Sequence, residues 1–430
     1  MFRWPAVNLL SLLAGLTKRD PHALIAIDAD PGQPVHVSRS ELWRRTLQLR
    51  ADLATAGVGR GDGVVAWLPN WSDVLDWHIA AASLGAHVVG LDPRTEPDAA
   101  ASVLGRARPR VVALPAGEDG DGLVAALREA VAAAEAPVPA VAVIAGPNGR
   151  APIDPSPWDV GGGAWLPSAT TAGMPMPKTS GDELAVAFAP GLAAHRESAI
   201  VRHSLAVAEA LGIRDNDLMA CTRPLTGVPG FCFAFAALAG GAGCLLEPGC
   251  DEDTLLDDMA RFGATQLVAD DGTARRLADA WHRRHRALPT WRWLGVLGAT
   301  GGDPEAAGWA EKELGVVSTG VYGSADVLVP PALWPGDAPA PARWHAGGRP
   351  VSPEVEVRVT DPVSGRPLPG GEQGELQFRG YGVADAYLGH PEHGPPRLTG
   401  DGWFATGDLG VLTGDGAFRC LGRVNDHQGT

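Results

Sequence analysis

Residues 63–93, GVVAWLPNWSDVLDWHIAAASLGAHVVGLDP, decide the fold. The apolar run at 63–68 has the length of a buried strand, and Val74, Leu75, Ile79 and Ala82 recur at helical spacing. AHVVGLDP (86–93) is a second apolar run, closed by Asp-Pro. Strand, helix and strand in that order form the unit of a parallel sheet covered by helices. Upstream, SELWRRTLQLRADLATA (40–56) places Leu42, Thr46, Leu49 and Leu53 on one helical face, with Gly57 as the stop. Downstream, RVVALPA (110–116), an Ala-rich helix from about 121 to 135, and AVAVIAG (140–146) repeat the alternation.

From Pro147 to Gly181 the chain is rich in Pro, Gly, Ser and Thr and reads as a connection. A second alternating set runs from ELAVAF (183–188) to GVVSTGVYG (315–323). Period-two alternation in EVEVRVTD (354–361) and GELQFRG (374–380), joined by PVSGRPLPGG, predicts antiparallel hairpins in a small barrel. The expected fold class is α/β: two stacked doubly wound sheets flanked by helices, plus a small antiparallel β-barrel. The expected domains are 1–180, a first α/β subdomain with its Pro/Gly-rich connection; 181–342, a second α/β subdomain; and 343–430, the barrel.

Composition narrows the function classes. A net charge of -15 without a basic run argues against a nucleic-acid partner, because phosphate neutralisation needs clustered Lys or Arg. The five cysteines (221, 232, 244, 250 and 420) form no C-x-x-C pair, which fits a reduced compartment and argues against a thiolate metal site. The apolar stretch Leu9–Leu16 is interrupted by Ser11, preceded by Asn8 and lacks a cleavage signature, and no run reaches membrane-span length. A cytoplasmic protein with no membrane partner is expected. His282 and His285 in WHRRHR have helical metal spacing, but the flanking arginines repel a cation. Trp281, Trp291 and Trp293 are expected to pack that helix and the next strand on the core.

Seven further stretches follow one another in a family order: LPNWSDVLDWHIAAASLGAHVVGLDPR (68–94), PLTGVPGFCFAFAALAGGAGCLLEPG (224–249), GATGGDPEAAGWAEKELGV (298–316), YGSAD (322–326), GELQFRGYGVADAYLGHPE (374–392), GWFATGDLG (402–410) and GRVND (422–426). In this order the chain resembles the adenylate-forming superfamily of acyl-CoA synthetases, peptide-synthetase adenylation domains and luciferases, over almost all of residues 40–428. Such enzymes activate a carboxylate with ATP, so their site must neutralise phosphate, hold magnesium and fix the ribose. By resemblance, Asp408 grips the ribose, Arg423 contacts the nucleotide, and Tyr322 with Gly323 lies by the adenine. The resemblance puts the acid pocket among Phe231, Phe235, Thr300, Gly301, Gly302, Val321 and Ser324.

The pattern breaks at four places. The family's phosphate loop, close to Thr-Ser-Gly-Thr-Thr-Gly-x-Pro-Lys-Gly, is matched by Ala189-Pro-Gly-Leu-Ala-Ala-His-Arg-Glu-Ser198, in which only Gly191 survives and Glu197 brings a negative charge. Hydrogen bonds to charged groups contribute about 1.5–3 kcal/mol each, so triphosphate binding is expected to fall by orders of magnitude. SATTAGMPMPK (168–178) looks like such a loop but precedes the strand instead of following it, and is assigned to the connection. At YGSAD, Ala325 removes a phosphate-contacting hydroxyl, while Asp326 keeps a shorter carboxylate for magnesium if ATP is used. PLTG places Thr226 and Gly227 where the family often has an aromatic residue and a histidine. The chain stops at Thr430, past an altered hinge, Asp426-His-Gln-Gly429, where the family continues into a small C-terminal domain; a natural loss of that domain is the expectation.

These features predict a diverged superfamily member of a biosynthetic, secondary-metabolic pathway. It binds a carboxylic acid or acyl substrate, free or carrier-protein-bound, with adenylation lost or severely impaired and AMP or ATP bound weakly. Asp326, His195, Arg196 and Glu197 are the candidates for acid–base groups of another reaction. Two alternatives are an acid-AMP ligase served by a separate C-terminal domain, and a non-catalytic subunit partnered with a homologous ligase or a second copy.

Overall fold

The computed structural model describes residues 8–30, 33–134, 137–149, 153–167, 180–249, 251–298, 303–389, 398–414 and 416–425. The quoted stretch folds as read: strand Gly63–Trp67, helix Ser72–Ala82 and strand His87–Leu91, with the two strands paired in parallel register from Gly63↔His87 to Trp67↔Leu91. Upstream, helix Arg39–Thr55 begins where the Ser38 hydroxyl accepts from the Glu41 amide, satisfying one of the helix's free N–H groups. Leu42, Thr46, Leu49 and Leu53 are all buried on its inner face. Asn8 and Ser11 turn out to be the capping box of helix Leu9–Arg19, whose leucines 9, 10, 13 and 16 are buried, so the N-terminal apolar stretch is an amphipathic core helix.

Three sheets result. The first has eight strands, in the order Ala386–Tyr387, Ala193–Arg196, Leu184–Phe188, His87–Leu91, Gly63–Trp67, Val111–Pro115, Ala140–Ile144 and Ala164–Trp165. The second has seven: Val317–Val321, Trp293–Leu297, Gln266–Asp270, Leu218–Cys221, Gly243–Leu246, Leu24–Asp28 and Val35–Ser38. Both are mostly parallel and helix-flanked, as expected. The third is a six-stranded antiparallel sheet formed by residues 332–423, where the small barrel was expected. Leu184–Phe188 and Ala193–Arg196 follow residue 180 yet belong to the first sheet, whereas Leu24–Asp28 joins the second by parallel pairing with Gly243–Leu246. Part of the Pro/Gly-rich connection is also structured: Ala164–Trp165 extends the first sheet beside Ala140–Ile144. Residues 168–178 lie outside the described residues.

Asn70 of the LPN stretch ties the first sheet to the loop before the acid-pocket helix. Its amide donates to the carbonyls of Cys221 and Arg223, both at 3.1 Å, and its oxygen accepts from Leu225 N at 2.7 Å. At Gly90 a Cβ would lie 2.1 Å from the Thr226 carbonyl, so only glycine lets that strand approach the PLTG loop this closely. Trp281, Trp291 and Trp293 are buried, as expected, and Trp281 has the His285 ring against it at 4.1 Å. Cys221, Cys232, Cys244 and Cys420 are buried free thiols. Among the described residues no group of three or more His, Cys, Asp or Glu is placed to hold a metal ion, and no helix is long and apolar enough to cross a membrane.

Candidate functional site

The segment expected to match the family's phosphate loop is a four-residue turn, Ala189–Leu192, that joins the antiparallel strands Leu184–Phe188 and Ala193–Arg196 directly. Leu192 takes a left-handed conformation, φ 58°, and is fully buried in the core of the first sheet. Its amide donates to the Phe188 carbonyl at 2.8 Å, and its own carbonyl accepts from Leu388 N at 3.1 Å. Pro190 has no N–H, and its carbonyl accepts from the Arg106 guanidinium. Ala189 and Gly191 are left as the turn's remaining N–H groups, with open space around Gly191.

The residues just after the turn point elsewhere. His195 is fully buried and Nε2 lies 2.6 Å from the Ala325 carbonyl, which fixes Nε2 as the donor. Burial holds its pKa below the usual imidazole range. Arg196 forms an ion pair with Asp385, Nε to Oδ1 at 2.8 Å, reinforced by its amide to Oδ2 at 3.0 Å. Glu197 is the first residue of helix Glu197–Ala210, and its Oε1 accepts from Leu9 N at 2.8 Å, at the start of helix Leu9–Arg19. Burial pushes the Glu197 carboxyl up to about 7, opposed by that hydrogen bond.

The segment Tyr322–Asp326 is fixed by several groups. Gly323, at φ 147°, has no room for a Cβ, which would meet Val329 at 2.9 Å. His195 holds the Ala325 carbonyl, and His203 Nε2 lies 3.1 Å from the Val329 carbonyl. Asp326 is half-buried; its Oδ1 accepts from the Tyr387 hydroxyl at 2.6 Å and its Oδ2 from the Ser324 hydroxyl at 3.1 Å. Tyr387 and Asp385 both lie in GYGVADAYLGHPE, and the reading of that motif passed over them. Their polar side chains, two apart at the strand Ala386–Tyr387 that pairs with Ala193–Arg196 and at the residue just before it, are the signal that could have found them.

Asp408 and Arg423, the residues expected to contact a nucleotide, face one another as an antiparallel pair. Arg423 Nη1 lies 3.0 Å from Asp408 Oδ1, and the Tyr322 hydroxyl donates to Asp408 Oδ2 at 2.6 Å. Burial raises the Asp408 pKa, with the charge of Asp326 adding to it, while Tyr322 and Arg423 oppose the rise. The Tyr322 ring is buried, stacked on Phe378 at 5.7 Å and 13° and set against the edge of Phe418. Asp408 keeps unused lone pairs on both oxygens and can accept from a pair of hydroxyls, as a ribose presents.

Of the expected acid pocket, Phe231, Phe235 and Val321 are buried. Phe231 and Phe235 lie 4.4 Å apart, with His78 edge-on to Phe231 at 4.7 Å; Ser324 is half-buried beside Asp326. Burial drives the His78 pKa down to about 3, so the ring is neutral. Thr300, Gly301 and Gly302 lie outside the described residues.

Residues 16–388 match the AMP-binding enzyme family. The pyochelin synthase PchD of Pseudomonas aeruginosa is 27% identical over 436 residues, covering 98% of this chain and 75% of that protein. A salicylyl-CoA synthase / salicylate adenylyltransferase from a Streptomyces species is 36% identical over 181 residues, 42% of this chain and 31% of that protein. Among solved structures, ATP-bound MatB from Rhodopseudomonas palustris superposes with a TM-score of 0.80 at 23% identity, over 97% of this chain and 79% of that one, which establishes the shared fold. Taken with the sheets and the motif order, these matches show that the chain belongs to the AMP-binding, adenylate-forming enzyme family.

Proposed function

We propose that this chain binds a carboxylic acid or acyl substrate in a secondary-metabolic pathway, that ATP-dependent adenylation is lost or severely impaired, and that the pocket serves another reaction on the acyl group. The observation that carries the reading is the four-residue turn Ala189–Leu192. A phosphate cradle works by aiming several backbone N–H groups and hydroxyls at one anion. Here one residue has no N–H, another uses its N–H on Phe188, and none bears a hydroxyl. No cation from the turn or the start of the next helix compensates, because Arg196 is paired with Asp385 and Glu197 is anionic when ionised.

Of the four acid–base candidates, Asp326 fits the role best. Its carboxylate is half-buried and has a proton donor, Tyr387, at 2.6 Å. His195, Arg196 and Glu197 act as positioning groups, holding Ala325, the strand Ala386–Tyr387 and helix Leu9–Arg19 respectively. An aromatic acid is the substrate class we favour, supported by the names of relatives: the salicylyl-CoA synthase and a 2-hydroxy-7-methoxy-5-methyl-1-naphthoate–CoA ligase of Streptomyces carzinostaticus. A working ligase is the second reading, favoured by the intact Asp408–Arg423 pair. ATP–pyrophosphate exchange with benzoate, salicylate and naphthoate separates the two. The proposal expects no exchange above background even with an added C-terminal domain of the family, and acid-dependent exchange would overturn it.

A further inference from the structure

Strands Gln266–Asp270, Trp293–Leu297 and Val317–Val321 lie side by side in the second sheet, and their parallel register sets the side chains of each face in rows. On the face that carries Val321, the row at the carboxyl edge is Asp270, Leu297 and Val321. The next is Val268, Gly295 and Thr319, and the third is Gln266, Trp293 and Val317. Val268, Trp293 and Val321 share one core cluster, whereas Leu267, Leu294 and Val296 pack in another on the opposite face. The middle row has a glycine at its centre, and Trp293 fills the gap. A Cβ on Gly295 would lie 2.3 Å from the Trp293 ring, so the indole lies across the place where a side chain would stand. Phe233 of helix Val228–Gly240 packs on that ring at 5.9 Å and 37°. An aromatic surface therefore ends the face one row below Val321, about 6.6 Å down the strand. That depth takes one six-membered ring.

Beside Gly295 stands an unmatched hydroxyl. Thr319 is 1% exposed, and its Oγ1 has no hydrogen-bond partner among the described residues. Other hydroxyls of this sheet find one: Ser318 donates to the Val316 carbonyl at 3.3 Å, and Thr222 to the Val268 carbonyl at 2.9 Å. Gln266, one row further from Val321, is also buried with both amide atoms unpartnered. Buried polar side-chain atoms are nearly always hydrogen-bonded, so a bare hydroxyl one row beneath Val321 points to a ligand atom that completes it. A threonine hydroxyl both donates and accepts, which suits a hydroxyl on the ligand. The indole surface favours a flat apolar body against it.

We infer that Trp293 and Thr319 set the substrate class of the acid pocket: an aromatic acid of a single ring that lies against the indole and carries a hydroxyl for Thr319. The inference rests on the proposed acid pocket at Val321 and deepens it. Equilibrium dialysis of the full chain against benzoate, its three monohydroxy derivatives and 4-propoxybenzoate tests it. At least one hydroxybenzoate is expected to bind about fivefold more tightly than benzoate, as one neutral hydrogen bond would give, and Thr319→Val to bring it down to the affinity of benzoate. Trp293→Ala opens the row of Gln266 and is expected to raise 4-propoxybenzoate affinity by at least about tenfold, as two newly buried methylenes would. Trp293→Phe, which keeps a ring in the core, is expected to give a smaller gain in the same direction. The inference is overturned, with the acid pocket left standing, by any of three results: no hydroxyl preference, or one that survives Thr319→Val; 4-propoxybenzoate bound by the unaltered chain as tightly as benzoate; or no gain in either Trp293 variant. Binding of no acid by any of these chains would overturn the pocket reading, and this inference with it.

Discussion

The segments Ala189–Leu192 and Tyr322–Asp408–Arg423, which the proposal assigns to the two ends of one nucleotide, are built very differently. The Asp408–Arg423–Tyr322 corner keeps a carboxylate, a guanidinium and a hydroxyl within 3.0 Å contacts. The Ala189–Leu192 corner keeps a glycine and has become a tight hairpin packed into the first sheet. The first can accept hydrogen bonds from hydroxyls, and the second would have to neutralise phosphate if a nucleotide binds. On the proposed reading, one part of a composite site can change while another is kept, because the two sit on different sheets with separate support. Tyr322 and Asp408 are held by the antiparallel sheet's aromatic core, and the turn by Phe188, Leu388 and Arg106.

The largest effect should come from rebuilding the weaker corner. Replacing Ala189–Leu192 with a Thr-Ser-Gly-Thr-Thr-Gly loop should restore two or three hydrogen bonds to phosphate, about 4 kcal/mol, and raise ATP affinity by roughly 10³-fold with AMP affinity little changed. Calorimetry reads both, and an equal gain for AMP would show that the corners are not separable.

A smaller effect tests what stands behind the turn. Glu197 has its pKa raised to about 7 by burial, so the folded chain binds a proton there more tightly than the unfolded one. That contribution to stability is fully present below the ordinary carboxyl value and is lost as pH rises towards 7. Glu197→Gln removes the titration while keeping an acceptor for Leu9 N. Its stability relative to the parent should therefore climb by about 2 kcal/mol between pH 4.5 and pH 8, measured by urea unfolding. A pH-independent difference would contradict the burial argument.

An effect of similar size probes the Asp408 corner. Asp408→Ala leaves the Tyr322 hydroxyl buried without its acceptor and Arg423 without its partner. It should cost about 1–3 kcal/mol of stability and remove detectable AMP binding, read by thermal unfolding and dialysis. AMP binding that survives would place the nucleoside elsewhere.

Much of this was legible in the sequence because it is local. Helix Arg39–Thr55 announces its buried face in Leu42, Leu49 and Leu53, and the strands announce themselves as apolar runs. The motif order carried the family. Strand partners were less legible, since Leu24–Asp28 and Leu184–Phe188 are equally apolar and their own residues do not say which sheet each joins. The roles of His195, Arg196 and Glu197 were hidden for the same reason: their partners are 130, 189 and 188 residues away. A polar residue next to a turn reads as available until the element that occupies it is placed. Tyr387 shows the converse, a site residue 61 positions from the Asp326 it serves.

The most direct test of the central claim is calorimetry of the unaltered chain with AMP and with ATP, each with and without magnesium. Retained sugar recognition beside a lost phosphate cradle predicts weak AMP binding, ATP binding no tighter than about threefold over AMP, and no magnesium dependence, since that ratio is below a single hydrogen bond to a charged group. ATP preferred by a hundredfold or more, and only with magnesium present, would contradict it.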